Sequence, residues 1–344
     1  MKITIVLPGR GFSGGVRCGV RMADELLHRG HNVRILYRRN NFGVTVIARF
    51  LYRRFINIEH KDWIARFNGE CVSFKNLTAK LVGDGDAVIS VGPDCVEEMT
   101  NLPDKCGAKI FYAHGLTLRD PHLRMTAWGK NIPKIAVSNY VRLELLNASN
   151  NCVVAVVPNG IDASDYFADG ADDERISVGT VYGSGGAKDP DTIKAVFVRL
   201  YELRPEIPLL CFGECPRPSG LLSAVQYYRL PTVAQARRIY SRCSVWFCAS
   251  RSEGFGMPLL EAMACGCAVV SRDCGGPRDF LRSGVNGIIT SKDEPFEIAE
   301  EILRVYDTTG LRNMLAAEGM MTARTMSWKS AAEQIEEALK RIVK

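Results

Sequence analysis

The stretch that decides the fold reads Ser250-Arg251-Ser252-Glu253-Gly254-Phe255-Gly256-Met257-Pro258-Leu259-Leu260-Glu261-Ala262-Met263-Ala264-Cys265-Gly266. The apolar run Val245-Trp246-Phe247-Cys248-Ala249 leads into it and predicts a buried strand. A tight loop with two glycines follows. A helix is then expected to start at Pro258, because proline has no N–H to leave unpaired at the first helical position. Strand, glycine loop and helix N-terminus in this order build an anion site. The unpaired N–H groups and the positive end of the helix dipole favour a phosphate there. Glu253 lies in the loop and Glu261 about one turn or so into the helix. A carboxylate beside a phosphate is electrostatically awkward, so both are read as acceptors for sugar hydroxyls. Phosphate with hydroxyls on both sides describes a nucleotide-sugar. The plainer reading is two unrelated surface glutamates around an ordinary turn. The Gly254-Phe255-Gly256 between them, the proline and the small-residue helix weigh against it.

The chain has 344 residues, enough for about two domains. With 47% hydrophobic and 24% charged residues it reads as folded and globular. No apolar run approaches the ~18 residues of a membrane span. The opening Met1-Lys2-Ile3-Thr4-Ile5-Val6-Leu7-Pro8-Gly9 reads as a first buried strand and not as a signal peptide, so a cytoplasmic protein is expected. The twelve cysteines include no Cys-x2-Cys pair, and many sit in apolar runs, as at Cys211, Cys248 and Cys267. They are read as small packed hydrophobes, not metal ligands or disulfides. Net charge is +6 and uneven. Arg29, Arg34, Arg38, Arg39, Arg49, Arg53, Arg54, Lys61 and Arg66 face only Glu59 and Asp62 over the same span. Within it, 44–56 interleaves apolar and basic residues. Such a segment suits either an anionic membrane surface or a core-facing helix with a solvated basic face. No recognisable nucleic-acid-binding motif accompanies the charge, which argues against nucleic acid as a partner.

Short apolar strands alternate with helices throughout, the signature of parallel sheets covered on both faces. In the first half, strands are expected at 3–7, 32–37, 87–91, 109–112, 134–137 and 153–157, with a helix at 15–29. The pattern restarts with strands at 176–182, 208–212, 245–249, 267–271 and 287–290, and helices at 191–203, 233–241, 258–265 and 295–306. A last helix is expected at 331–342. Two doubly wound units in tandem result, with the turn-rich Pro158-Asn159-Gly160-Ile161-Asp162 between them.

Three further motifs carry chemistry. Gly9-Arg10-Gly11-Phe12-Ser13-Gly14 is a literal G-x-G-x-x-G between a strand and a helix, the dinucleotide fingerprint in its expected context. The second strand ends Tyr37-Arg38-Arg39 where a ribose-binding acid would be needed; an arginine there suits NADP, which keeps an NADP-dependent oxidoreductase as an alternative. Gly183-Ser184-Gly185-Gly186-Ala187-Lys188 is a glycine-rich turn with a lysine able to clamp a diphosphate. His114 follows a strand at its carboxyl end, where parallel sheets place ligands. Asp84-Gly85-Asp86 precedes a strand instead of following one, so no metal site is assigned.

The 250–266 stretch resembles the Glu-x7-Glu motif of the retaining glycosyltransferases of family 4, which have the GT-B fold. The likeness continues through Cys267-Ala268-Val269-Val270 and Asp273-Cys274-Gly275-Gly276-Pro277-Arg278-Asp279. It implies two Rossmann-like domains facing a central cleft: an acceptor domain over 1–157, a nucleotide-sugar domain over 158–325, and a final segment, 326–344, returning to the first domain. It implies transfer of a sugar from a nucleotide diphosphate sugar, UDP-linked or GDP-linked, to a hydroxyl of a glycan or lipid-linked acceptor, with retention and without metal or cofactor. Donor contacts would come from Gly14, Gly15, Gly183, Ser184, Lys188, Glu253, Gly254, Phe255, Gly256, Met257, Pro258 and Glu261. His114, Lys188 and Glu253 would serve catalysis. The family's usual diphosphate arginine aligns with Thr180, which departs from the pattern; Arg10 is a substitute. Polysaccharide biosynthesis at the inner membrane face is the implied setting. A sugar epimerase or phosphorylase could share the fold, and the sequence separates them poorly; a non-catalytic nucleotide-sugar-binding protein is a further alternative. A glycosidase is disfavoured, because Glu261 belongs to a helix beside a phosphate site.

Overall fold

A computed structural model of the chain describes every residue except 12, 40–62, 116–120, 149–152, 169–174, 292 and 344. The basic stretch with Arg49, Arg53 and Arg54 lies outside the described residues. The chain forms two compact units: Met1–Gly160 with Trp328–Lys344, and Ile161–Ser327.

The first unit is built on β1 (Lys2–Leu7), β2 (Asn32–Arg38), β3 (Glu70–Phe74), β4 (Ala87–Val91), β5 (Ala108–Ala113), β6 (Lys134–Ala136) and β7 (Val153–Val156). They form one parallel sheet in the order β3-β2-β1-β4-β5-β6-β7. Connecting helices are α1 (Gly14–His28), α2 (Ala79–Val82), α3 (Val96–Thr100), α4 (Pro121–Gly129) and α5 (Asn139–Ala148). Strand order reverses between β1 and β4. Ile3, Ile5, Val6 and Leu7 are wholly buried, as expected of a central strand covered on both faces.

The second unit holds β8 (Ser177–Tyr182), β9 (Leu209–Gly213), β10 (Gln226–Arg229), β11 (Cys243–Cys248), β12 (Ala268–Arg272) and β13 (Ile288–Thr290). Its parallel order is β10-β9-β8-β11-β12-β13. Its helices are α6 (Pro190–Leu203), α7 (Val233–Arg242), α8 (Met257–Ala264), α9 (Pro295–Asp307) and α10 (Thr309–Thr325). Val178, Phe197, Phe247, Val270 and Ile302 lie in one buried cluster between sheet and helices. Strand order reverses between β8 and β11, which makes the loops after these two strands the walls of a crevice at the sheet's carboxyl edge. In doubly wound sheets ligands bind at such switch points. The chain then closes with α11 (Trp328–Ile342), part of the first unit. Arg29, capping α1, donates to Glu336 at 2.7 Å and to Glu333 at 3.1 Å.

Two strands escape the periodicity reading, β3 and β10. Both are sheet edges, and only one residue of β3 and none of β10 is fully buried. Edge strands carry little of the apolar run that identifies a central strand. Among the described residues no helix is long and apolar enough to cross a membrane.

Candidate functional site in the second unit

The crevice between β8 and β11 gathers the residues singled out from the sequence of this half. β11 is buried through Phe247 and releases the chain at Cys248. The following loop is zipped to the loop after β12. The Glu253 N–H donates to the Cys274 carbonyl at 2.8 Å, and the Gly276 N–H donates to the Glu253 carbonyl at 3.0 Å. These bonds fix the backbone of Glu253 and Gly254 at the crevice mouth. Gly256 then caps α8 with φ of 98°, a left-handed conformation that favours glycine. A Cβ there would also fall 2.6 Å from Pro277 Cγ. The helix starts at Met257, so Pro258 sits one position later than the sequence suggested, still within the first turn where its missing N–H costs nothing. Phe255 points into the core, 3% exposed, against Phe280 at 5.2 Å. Its backbone, not its ring, is left for a ligand.

Lys188 arrives from the β8 side. After Tyr182 the chain turns through Gly183 and Ser184 to a short 3-10 turn, Gly186–Lys188. Gly183 lies under the lysine stem, and a Cβ there would meet Lys188 Cγ at 2.6 Å. Ser184 Oγ accepts a weak bond from the Cys215 thiol at 3.5 Å. Lys188 Nζ donates to Glu253 Oε1 at 2.5 Å, and Ser250 Oγ donates to the same oxygen at 2.6 Å. Burial opposes the lysine charge, but the Glu253 carboxylate outweighs it and raises the Lys188 pKa. The two side chains that the sequence assigned to separate ends of a donor form one ion pair. Thr180, Lys188, Trp246, Cys248, Glu253 and Pro258 line a shallow concavity around that pair.

Glu261 is 6% exposed and accepts from the Tyr240 hydroxyl at 3.0 Å. Tyr240 is itself fully buried against Trp246, ring centroids 4.4 Å apart. Thr180, at the position of the family's arginine, is buried in β8 and donates to the Phe247 carbonyl at 2.7 Å. It fastens β8 to β11 and carries no charge to a phosphate.

Sequence reasoning missed Asp189. It is 6% exposed with φ of 49°, and it accepts from Arg251 Nε at 2.7 Å, Arg272 Nη1 at 2.9 Å and the Thr192 N–H at 3.4 Å. Burial works against the carboxylate, yet the bonds from Arg251, Thr192 and Arg272 lower its pKa. The Arg251 N–H also donates to the Ala187 carbonyl at 2.8 Å. Asp189 therefore clamps the Lys188 turn to the Glu253 loop. The signal was present: Asp189 precedes Pro190, an N-cap followed by proline in the first turn.

The remaining candidates lie in the first unit. Gly14 and Gly15 are the first two residues of α1, capped by Ser13, whose Oγ accepts from the Val16 N–H at 3.4 Å. The first turn carries no acid, so the helix dipole there is not offset. A Cβ on either glycine would meet nothing within 4 Å. His114 follows β5 with its ring 4.0 Å from that of Tyr112. Its Nε2 is buried and has no hydrogen-bond partner among the described residues. Desolvation lowers its pKa to about 3, so it is neutral at physiological pH. Arg38, the residue that suited NADP, donates to Glu98 at 2.8 Å and lies over Phe74.

The chain's likenesses agree with this geometry. Residues 186–322 match the family model of glycosyl transferases group 1. The matched residues lie within the second unit. The phosphatidyl-myo-inositol mannosyltransferase of Mycobacterium tuberculosis is 29% identical over 371 residues, covering 97% of this chain and 95% of the relative. An uncharacterized glycosyltransferase of Methanocaldococcus jannaschii is 27% identical over 197 residues, 57% of this chain and 55% of that protein, so the chain spans about half its length. Among solved structures, Anabaena HepE in complex with UDP-glucose has a TM-score of 0.76 at 17% identity, covering 99% of this chain and 100% of the other. That likeness is one of fold, and the fold is GT-B. Neither the oxidoreductase nor the non-catalytic reading gains support from these matches.

Proposed function

We propose that this protein transfers a glycosyl group from a nucleotide diphosphate sugar to a hydroxyl acceptor, with retention of anomeric configuration and without a metal ion. The observation that carries the reading is the Lys188–Glu253 pair held beside the N-terminus of α8 at the switch point of the second sheet. Lys188 and the first turn of α8 supply positive charge for a leaving diphosphate, a stabilisation that grows as the glycosidic bond breaks. Glu253, with the backbone of Gly254, Phe255 and Gly256, holds the sugar hydroxyls. Glu261, its second oxygen fixed by Tyr240, accepts from the ribose. In a same-face displacement the departing diphosphate oxygen takes the acceptor proton, so no strong base is required. His114, neutral and with an unmet Nε2, serves as a hydrogen-bonding group to the reacting sugar and not as a charged acid. Gly14 and Gly15 offer backbone N–H groups to donor phosphate or acceptor.

A UDP-sugar is the first donor to try, since a UDP-glucose complex exists for a protein of the same fold. The mannosyltransferase relative supports a polyol or lipid-linked hydroxyl as acceptor. The family resemblance supports work at the cytoplasmic face of a membrane. The test is a panel of UDP- and GDP-sugars scored by thermal stabilisation, since a ligand bound to the folded state raises the melting temperature. Donors that stabilise are then incubated with inositol-type and lipid-linked acceptors, and the product's anomeric configuration is read by NMR. Stabilisation by no nucleotide-sugar, or an inverted product, would refute the reading.

A further inference from the structure

Two buried side-chain atoms of the first unit lack a hydrogen-bond partner among the described residues, and they lie at the same edge of its sheet. Asn159 is 3% exposed, and its Oδ1 is buried and unpartnered. His114 Nε2 is in the same condition. Both residues follow strands at their carboxyl ends, His114 directly after β5 and Asn159 three residues after β7. Strands β5, β6 and β7 are neighbours, in register at Ala113, Ala136 and Val156. The ladder runs one residue further. The Val137 N–H donates to the Ala113 carbonyl at 3.0 Å and the Val157 N–H to the Ala136 carbonyl at 2.8 Å. Tyr112 ties the two outer strand ends together. It is wholly buried, with its ring 4.0 Å from that of His114. Its hydroxyl donates to the Val157 carbonyl at 2.8 Å, two residues before Asn159.

Buried polar groups are paired in the large majority of cases, and an unmet one is costly. An asparagine before a glycine ordinarily bonds the neighbouring backbone through its side-chain oxygen. Asn159 Oδ1 makes no such bond. We propose that Asn159 and His114 bind separate hydroxyls of one polyhydroxylated ring, a sugar or a cyclic polyol, at the carboxyl edge of the first sheet. A hydroxyl both donates and accepts. One hydroxyl donates to Asn159 Oδ1, which only accepts. Another pairs with His114 Nε2 in either sense, because burial keeps the imidazole neutral and its tautomer can follow the ligand. A diphosphate suits these two groups poorly, since it brings only acceptors to an oxygen that also accepts, and neutral histidine offers it no charge. An apolar group would leave both atoms unmet. That the ring belongs to a substrate of glycosyl transfer rests on the function proposed above; the binding of hydroxyls here does not.

The experiment uses the full chain with myo-inositol, methyl α-glucoside and methyl α-mannoside as probes, read by saturation-transfer NMR, with UDP calorimetry and melting curves alongside. At least one probe should take up saturation from the wild type. Asn159→Leu and His114→Phe keep much of each side chain's shape and lose its polar atoms. Each should weaken that probe at least about tenfold and leave UDP affinity unchanged. Asn159→Leu should melt no lower than the wild type, because it removes a buried acceptor that has no bond to lose. A lower melting temperature would mean that Asn159 is paired within the fold, directly or through a trapped water, and would overturn the idea. A wild type that takes up none of the three probes would overturn it too, as would variants that bind them as the wild type does. In transfer assays of the same variants, a raised Michaelis constant for the acceptor assigns the ring to the acceptor, and a raised one for the nucleotide-sugar assigns it to the donor's sugar. If the wild type binds a probe but no UDP, the donor-site reading fails by itself and the probe data still decide the hydroxyl subsite.

Discussion

Replacing Asp189 with asparagine removes a charge from the clamp that holds the Lys188 turn against the Glu253 loop, while leaving its shape. The asparagine oxygen can still cap α6 at Thr192. The loss falls on the two arginines. Arg251 is 67% exposed, so solvent screens its bond and little is lost there. Arg272 is 12% exposed and keeps a bond to Asp293 at 2.7 Å, but its bond to the buried carboxylate is charge-assisted. Such bonds contribute about 1.5–3 kcal/mol. A destabilisation of about 2 kcal/mol follows, or roughly 4–8 °C in melting temperature for a unit of this size. The pH dependence has a definite sign. The folded-state pKa of Asp189 is depressed, so its contribution is fully present above the unfolded value of about 4 and is lost as pH falls through the lower folded value. The gap between wild type and Asp189→Asn should therefore be full at pH 7, begin to close below about pH 4 and vanish below the lower folded value, where protonated aspartic acid resembles asparagine. Calorimetric melts at a series of pH values measure this directly. UDP affinity, titrated in parallel at pH 7, should fall about tenfold because the two loops are no longer held together. Equal melting temperatures at pH 7, or a gap that persists unchanged in acid, would refute the clamp.

Glu261→Ala should abolish measurable UDP binding, and Tyr240→Phe should weaken it while lowering stability by about 1.5 kcal/mol, the value of one hydrogen bond to a buried carboxylate; unchanged calorimetry in both removes Glu261 from the ribose role. Lys188→Ala should lower turnover more than it lowers donor affinity, because the diphosphate charge it faces grows toward the transition state. A rise in the Michaelis constant with turnover intact would make Lys188 a plain binding residue. Transfer activity should persist in EDTA, Lys188 and the α8 N-terminus supplying the positive charge; activity lost to the chelator and restored by Mg2+ or Mn2+ would contradict this.

The architecture was legible where burial is two-sided. The central strands are apolar runs, and β1, β4, β8 and β11 follow from that. What failed to show follows from the same physics. β3 and β10 are edges with mixed burial. α10 buries Leu315, Gly319 and Ala323, and two of these three are too small to register as an apolar stripe. A Cβ at Gly319 would come within 3.2 Å of Met263 Cγ on α8, so the two helices approach closely there. The glycine loops were legible because positive φ and close approach leave few substitutes, as Gly256 shows with Pro277 packed against it. Asp189, by contrast, reads as one more acid until β8 and β11 are laid side by side.

Lys188 and Glu253 show most directly what a linear reading omits. Sequence placed the lysine on a phosphate and the glutamate on a sugar, at 65 residues' separation. The switch in strand order puts their loops on facing walls, where each is the other's counter-charge. On the proposed reading a donor separates them. Its diphosphate offers the lysine more negative charge than one carboxylate does, and its sugar hydroxyls offer Glu253 the donors it gives up. The pair holds both side chains partly desolvated and close together at the crevice, so on the proposed reading little reorganisation remains at binding. Ser250, which already donates to Glu253 Oε1 at 2.6 Å, can keep the carboxylate in place when the lysine turns to phosphate. The exchange of partners also favours the complete donor. A free phosphate could draw Lys188 away but would leave Glu253 without its cation, whereas a nucleotide-sugar satisfies both at once.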